Sequence, residues 1–76
     1  MPVVMLSTVL CSRAQKNELL RRYSEITAEV LDVPIERIYV FINEHPLDSV
    51  AAGGTPFSEH APPSVEAALK ARAEGL

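Results

Sequence analysis

The hydrophobic pattern divides the first part of the chain into a strand and a helix. Residues 3–10 are apolar and rich in β-branched side chains, interrupted only by Ser7 and Thr8. A continuous run of this kind predicts a central strand that is covered on both faces. From residue 14 to residue 31, apolar side chains recur every three or four positions, which predicts an amphipathic helix. Its apolar stripe consists of Leu19, Leu20, Tyr23, Ile26, Val30 and Leu31.

Local signals mark both ends of this helix. Ser12 followed by Gln15 matches a capping box, in which each side chain bonds the backbone of the other residue. Pro34 ends the helix, because the residue before a proline avoids the α conformation. On the outer surface, Glu18 and Arg22 are spaced for an i,i+4 ion pair.

Residues 37–43 alternate between two sets of side chains and predict a second strand. One side carries Ile38, Val40 and Ile42, and the other carries Arg37, Tyr39, Phe41 and Asn43. Strand, helix and strand in this order predict a parallel β-α-β unit of the α/β class. The second side is too apolar for water at Tyr39 and Phe41, so we expect it to contact another subunit.

The rest of the chain predicts a small hairpin and a short helix. Gly53-Gly54 is a turn signal between two short segments. Pro62-Pro63 then interrupts the chain, and residues 64–73 predict a helix with Ser64 as its N-cap. One side of that helix carries Val65, Ala68, Leu69 and Arg72. We expect one domain over residues 1–76, with a core at 2–59 and an extension at 60–76.

Composition bears on the assembly, the partners and the cellular location of the protein. The chain has 76 residues, 47% of them hydrophobic, and a domain this small finishes its core by oligomerising more often than a large one does. We therefore expect a homo-oligomer. The net charge of -3 favours neither nucleic acid nor anionic membranes as partners. A single cysteine and the lack of a long apolar run predict a cytoplasmic protein.

Pro2 is a candidate catalytic group on chemical grounds. Removal of the initiator methionine, which is usual before a small residue, leaves Pro2 with a free secondary amine. A free α-amine titrates near pH ~8, and burial or nearby cations lower its pKa toward the range that a general base needs. The alternative is that Met1-Pro2 is an ordinary start without function, and the dipeptide alone favours this alternative.

Several features occur together in the order and spacing of one known family. They are Pro2 before the first strand, the Ser12/Gln15 helix start, Leu31-Asp32-Val33-Pro34 at the helix end, Ile42-Asn43-Glu44 at the end of the second strand, and Gly53-Gly54 before Thr55-Pro56-Phe57-Ser58-Glu59. Over roughly residues 2–59 the chain thereby resembles the 4-oxalocrotonate tautomerase family. The resemblance implies a β-α-β subunit with a small hairpin, whose sheet is extended by oligomerisation into a dimer or a hexamer. It also implies a cofactor-independent isomerase that uses an N-terminal proline as its base.

Carried over residue by residue, the resemblance assigns Pro2 as the catalytic base. The family's arginine at the start of the helix falls on Cys11, so Arg13, two residues later, is the candidate that binds a substrate carboxylate. A second family arginine falls on Tyr39, with Arg37 on the same predicted face of the strand. Arg37 and Tyr39 are therefore further candidates for substrate binding. The implied substrate is a small carbonyl acid, and no metal is expected.

Two classes of function remain open. In the first, the protein is a tautomerase that shifts a proton between carbons of an enolisable α-keto acid or related carbonyl compound. A variant of this class is hydration or dehalogenation, with Glu44 activating water. In the second, the protein is a non-catalytic, oligomeric binding module with a tautomerase-like fold, which the altered arginine positions favour. Cys11 is either a nucleophile or a small buried side chain, and the general tendency of free cysteine to be buried favours the latter.

Overall fold

The computed structural model describes residues Met1–Leu76 and shows the order of elements that the pattern predicts. The strands are β1 (Val3–Val9), β2 (Tyr39–His45), β3 (Ala51–Ala52) and β4 (Thr55–Pro56), and the helices are α1 (Arg13–Leu31) and α2 (Pro63–Ala73). Three short 3₁₀ turns cover Ile35–Arg37, Leu47–Ser49 and Phe57–Glu59. The predicted α/β fold class is thus confirmed, including the hairpin and the final helix.

The first two strands form a two-stranded parallel sheet. Their register pairs Val3 with Tyr39 at one end and Val9 with His45 at the other. α1 connects the two strands and packs on one face of this sheet. The short β3 and β4 pair antiparallel with each other in a separate hairpin. The parallel β-α-β unit that we predict from the order of elements is therefore present.

α1 begins and ends through local interactions. The N–H of Gln15 donates to Ser12 Oγ at 3.2 Å, and the N–H of Ser12 donates to Gln15 Oε1 at 3.0 Å, which confirms the capping box. The helix ends at Asp32, whose φ of 54° and ψ of 52° are left-handed. On its outer surface, Arg22 Nε lies 2.8 Å from Glu18 Oε2, so the predicted ion pair is also present.

The predicted starts of two elements are wrong. The second strand starts at Tyr39 instead of Arg37, because Ile35–Arg37 forms a 3₁₀ turn in which Ile38 N–H donates to Ile35 O at 3.0 Å. Arg37 consequently does not belong to the face that carries Tyr39. α2 starts at Pro63 with Pro62 in the N-cap position, and Ser64 does not cap it. Proline suits the first helical turn, since its φ is already helical and its missing N–H needs no partner there.

One chain buries very little of its apolar surface. Only Cys11, Ser12, Ile38 and Ala68 are buried. The sheet face turned away from α1 is open, with Met5 at 72% and Phe41 at 49% exposure. The strand that we expect to be covered on both faces is therefore covered on one face within a single chain. A two-stranded sheet is also too narrow for the stripe of α1, whose Val30 stays 73% exposed.

Neither α1 nor α2 combines the length and the apolar composition that crossing a membrane requires.

Candidate active site

Pro2 lies at the amino end of the parallel sheet, directly before β1. Its carbonyl oxygen accepts a hydrogen bond from the N–H of Tyr39 at 3.1 Å, so the start of β2 holds the start of β1 in place. Pro2 is half-buried, whereas the Tyr39 side chain is exposed. Arg37 is also exposed and lies in the turn that leads into β2. The structure therefore brings Pro2, Arg37 and Tyr39 to the same end of the sheet.

Arg13 lies at the opposite end. It is the first residue of α1, which follows the carboxyl end of β1. The strand between Pro2 and Arg13 spans about 20 Å at the usual rise of a parallel strand. The side chain of Arg13 is exposed and forms no hydrogen bond or ion pair within the chain. A single chain consequently does not bring Arg13 to Pro2.

Glu44 is the centre of a polar cluster at this second end. Its Oε1 lies 2.9 Å from Lys16 Nζ, and its Oε2 lies 2.7 Å from Arg72 Nη1. The N–H of Cys11 also donates to Glu44 Oε2, at 2.9 Å. Since the Glu44 side chain is only 17% exposed, this carboxylate is largely shielded and surrounded by donors.

These donors lower the pKa of Glu44 below its ordinary value. The largest cause is the hydrogen bond from the Cys11 N–H, followed by that from Lys16, with the charge of Arg72 adding to them, while burial acts in the opposite direction. Hydrogen bonds to the ionised form stabilise it, so Glu44 is a carboxylate at neutral pH. Its engagement here, far from Pro2, leaves it unsuited to activate water beside Pro2 of the same chain.

Sequence reasoning missed Lys16 and Arg72 as partners of Glu44. For Glu44 and Arg72, however, the sequence pattern contained a signal. Glu44 shares the inner face of β2 with Val40 and Ile42, and Arg72 shares the apolar side of α2 with Ala68. A charged residue on an apolar face needs a partner, because burying an unpaired charge is costly. The pattern therefore pointed to the need for an ion pair without identifying its partner.

Cys11 is part of the packed turn between β1 and α1. The residue is 8% exposed, and its thiol donates to the carbonyl oxygen of Val9 at 3.3 Å. Its backbone groups are both bonded, the N–H to Glu44 and the carbonyl oxygen to Arg72. This environment matches the interpretation of Cys11 as a small buried side chain.

No enclosed pocket surrounds Pro2 within one chain. The surface depressions lie along α1 instead, one of them between Leu19, Tyr23 and Ile26. A second depression lies around Cys11, Gln15 and Arg22. Both are open grooves beside a single helix, so a closed site at Pro2 needs walls from outside this chain.

Known proteins share this fold and its order of elements. The model of a family described as "Tautomerase enzyme" matches residues 10–60. A 2-hydroxymuconate tautomerase of Pseudomonas fluorescens is 44% identical over 48 residues, which cover 63% of this chain and 76% of that protein. The crystal structure of a 4-oxalocrotonate tautomerase homologue superposes with a TM-score of 0.73 at 32% identity, covering 82% of this chain and all of that one. An apo structure of an unfused 4-OT gives a TM-score of 0.72 at 30% identity, over 78% of this chain and 98% of its own.

The protein thus has a β-α-β fold of the kind seen in small tautomerases. More specifically, the chain belongs to the tautomerase family. The resemblance stated from the sequence is confirmed. The matched residues of the family model begin at residue 10, so this match does not include Pro2.

Proposed function

We propose that the protein is a tautomerase that moves a proton between carbons of an enolisable α-keto acid or a related carbonyl compound. The observation that carries the proposal is the location of Pro2. It precedes β1 at the open end of the sheet, half-buried and bonded to the start of β2. Family membership supports the same class of reaction.

In the proposed reaction, the secondary amine of Pro2 removes a proton from the carbon next to the carbonyl group. The electron pair of the broken C–H bond moves into a dienolate, and the protonated amine then returns the proton to another carbon of the conjugated system. An amine with a pKa near neutrality suits both steps. Only a chain without Met1 offers this amine, because the nitrogen of an internal proline is an amide without a proton.

Two side chains at the Pro2 end of the sheet are suited to the charges of such a substrate. The Tyr39 hydroxyl is a donor for the oxygen on which negative charge develops, and a donor aimed at that oxygen lowers the barrier. Arg37 is suited to a substrate carboxylate, since its guanidinium forms paired hydrogen bonds to carboxylates. We propose these roles from the position of both residues at the Pro2 end of the sheet.

Arg13 fits the proposal only when a second copy of the chain is present. Since it lies at the far end of β1 from Pro2, only a neighbouring copy can bring its Arg13 beside the first copy's Pro2, and we propose a neighbour that runs in the opposite direction. The open sheet face with Met5 and Phe41 offers a surface for such contacts. We therefore propose a homo-oligomer, a dimer or a hexamer, in which the site combines residues from more than one chain.

Replacement of Pro2 tests the proposal. In protein lacking Met1, Pro2→Ala should lower kcat/KM for ketonisation of a simple enol such as an enolpyruvate by at least ~100-fold, the lower range for loss of a general base. Some activity should remain, because alanine also has a free α-amine. Intact mass establishes whether Met1 is absent, and protein that retains Met1 should be inactive.

The second candidate is an oligomeric binding module without catalysis. It is favoured by Cys11, which is buried where the resemblance places an arginine. Equal activity with and without Met1 would exclude the amine mechanism. Inactivity of both forms across several enols would instead favour the binding module.

A further inference from the structure

Arg72 reaches from α2 back to the turn that precedes α1. A single nitrogen, Nη1, donates to the carbonyl oxygen of Cys11 at 2.9 Å and to Glu44 Oε2 at 2.7 Å. These contacts join residues that are 61 and 28 positions apart. α2 is therefore attached to the β1–α1 turn through a specific charged group.

The same turn is held from several sides. Glu44 on β2 accepts the N–H of Cys11, so side chains from two different elements bond both backbone groups of this residue. On the other side of Arg13, the N–H of Ala14 donates to the carbonyl oxygen of Leu76 at 2.7 Å. The backbone of Arg13 thus lies between Cys11 and Ala14, whose backbone groups are both hydrogen-bonded. The side chain of Arg13 itself is free and exposed.

The attachment of α2 to the β1–α1 turn depends on the positive charge of Arg72. Glu44 divides its two oxygens between Lys16 and Arg72, and its shielded carboxylate loses one of its two cations when Arg72 is removed. Hydrogen bonds to charged groups contribute more than neutral ones, and their loss leaves a desolvated partner. Without Arg72, we expect the hydrogen bond from the Cys11 N–H to Glu44 to be weaker. Cys11 and Ser12, which precede Arg13, are then held less firmly.

We propose that Arg72 is a positioning residue that holds the backbone of Arg13 in the place from which its side chain binds a substrate carboxylate. This inference rests on the proposed function of the protein and adds to it a role for α2. Arg72 acts through Cys11 and Glu44 and does not itself contact the substrate. Its effect consequently belongs to binding of an anionic substrate and not to proton transfer at Pro2.

Kinetics of protein lacking Met1 test the role of Arg72. Arg72→Gln should raise KM for an enol that carries a carboxylate about 10-fold, the effect of one lost charge-assisted hydrogen bond, with little change in kcat. KM for an enol without a carboxylate should not change. Arg72→Lys should restore part of the binding, since an ammonium group still bonds Glu44. Lys70→Gln is the matched control, because it removes the same charge from an exposed position on α2 and should leave KM unchanged.

Arg13→Ala separates positioning from a direct role. On its own it should raise KM for the acidic enol, and Arg72→Gln should add almost nothing when Arg13 is already absent, because both changes remove the same interaction. An equal effect of Arg72→Gln with and without Arg13 would overturn the inference, as would an equal rise in KM for the neutral enol.

Hydrogen exchange of the Cys11 amide provides a readout that does not depend on activity. Exchange should be faster in Arg72→Gln than in Lys70→Gln, because only the first change weakens Glu44. Unchanged exchange would overturn the inference even in an inactive protein. If the parent protein is inactive but the Cys11 amide exchanges faster in Arg72→Gln, only the proposed function is overturned. The structural role of Arg72 then stands.

Discussion

At the residue scale, Glu44 joins three parts of the chain that are distant in sequence. It bonds Cys11 before α1, Lys16 within α1 and Arg72 on α2. The Glu18–Arg21 pair on the outer surface differs, since both of its side chains are about half exposed and such pairs contribute little. We therefore expect Glu44 to be the carboxylate whose ionisation matters most for the fold.

The pH dependence of unfolding tests this expectation. The folded-state pKa of Glu44 lies below its ordinary value of 4.5, so its ionised form stabilises the folded protein above that pH. This contribution is lost as the pH falls through the folded-state pKa. Glu44→Gln should lower the free energy of unfolding by about 1 kcal/mol at neutral pH and by less near pH ~3. Denaturant titrations at both pH values measure the difference. Glu36→Gln, at an exposed site, is the control, and parallel pH curves for wild type and Glu44→Gln would contradict the expectation.

At the element scale, α1 shows how local chemistry sets the limits of a helix. Its capping box was evident in the sequence because the two residues are only three positions apart. At the other end, Asp32 adopts a left-handed conformation, which costs a residue with a Cβ more than glycine. Its negative charge also lies at the end of the helix where the dipole disfavours anions. The last turn of α1 therefore contains a local source of instability.

Replacement of this residue should stabilise the protein. Asp32→Gly is expected to raise the free energy of unfolding by about 0.5–1 kcal/mol, because glycine adopts a positive φ without strain and removes the unfavourable charge. Glu29→Gly provides the opposite control: it also replaces an exposed acid by glycine, but inside the helix, and should lower stability by about 1 kcal/mol. Thermal unfolding at one fixed protein concentration compares the variants. A lower midpoint for Asp32→Gly would show that the Asp32 side chain has a stabilising role.

The whole molecule is flat and open. Its extents are 43 × 29 × 14 Å, and its radius of gyration is 14.7 Å, against about 11 Å for a compact domain of this length. Its accessible surface of 5391 Å² exceeds the roughly 4,600 Å² expected for a folded monomer of its mass. Much of the excess is apolar side chains on the sheet face and on α1. We therefore expect the chain to complete its core against further copies of itself.

Phe41→Asp tests the role of the open sheet face. Wild-type protein should sediment as an oligomer at micromolar concentration, and a charge at this half-exposed position should shift it toward monomer, because an unpaired charge is costly to bury in an interface. Loss of activity should accompany dissociation if Arg13 serves the Pro2 of another copy. Asn17→Asp, which adds the same charge on the exposed surface of α1, is the control. A wild-type monomer of 8.3 kDa would contradict both the assembly and the shared site.

The sequence by itself determined the features that depend on neighbouring residues. The period of the apolar positions identified α1 and β2, a continuous β-branched run identified β1, and Gly53-Gly54 identified the hairpin turn. Each of these signals acts over a few positions. The same local signals were insufficient at Arg37, where an alternating pattern continued through a 3₁₀ turn. Alternation of side chains describes which residues are apolar but does not establish where a strand begins.

Only the tertiary structure decided which residues come together. It placed Pro2 with Tyr39 through the parallel register of β1 and β2, and it placed Arg13 at the opposite end of the sheet. It also brought Arg72 to Glu44, although the sequence showed no relation between them. Contacts of this kind depend on the path of the chain through space, because two charges on separate apolar faces have no preferred partner until the elements that carry them are packed.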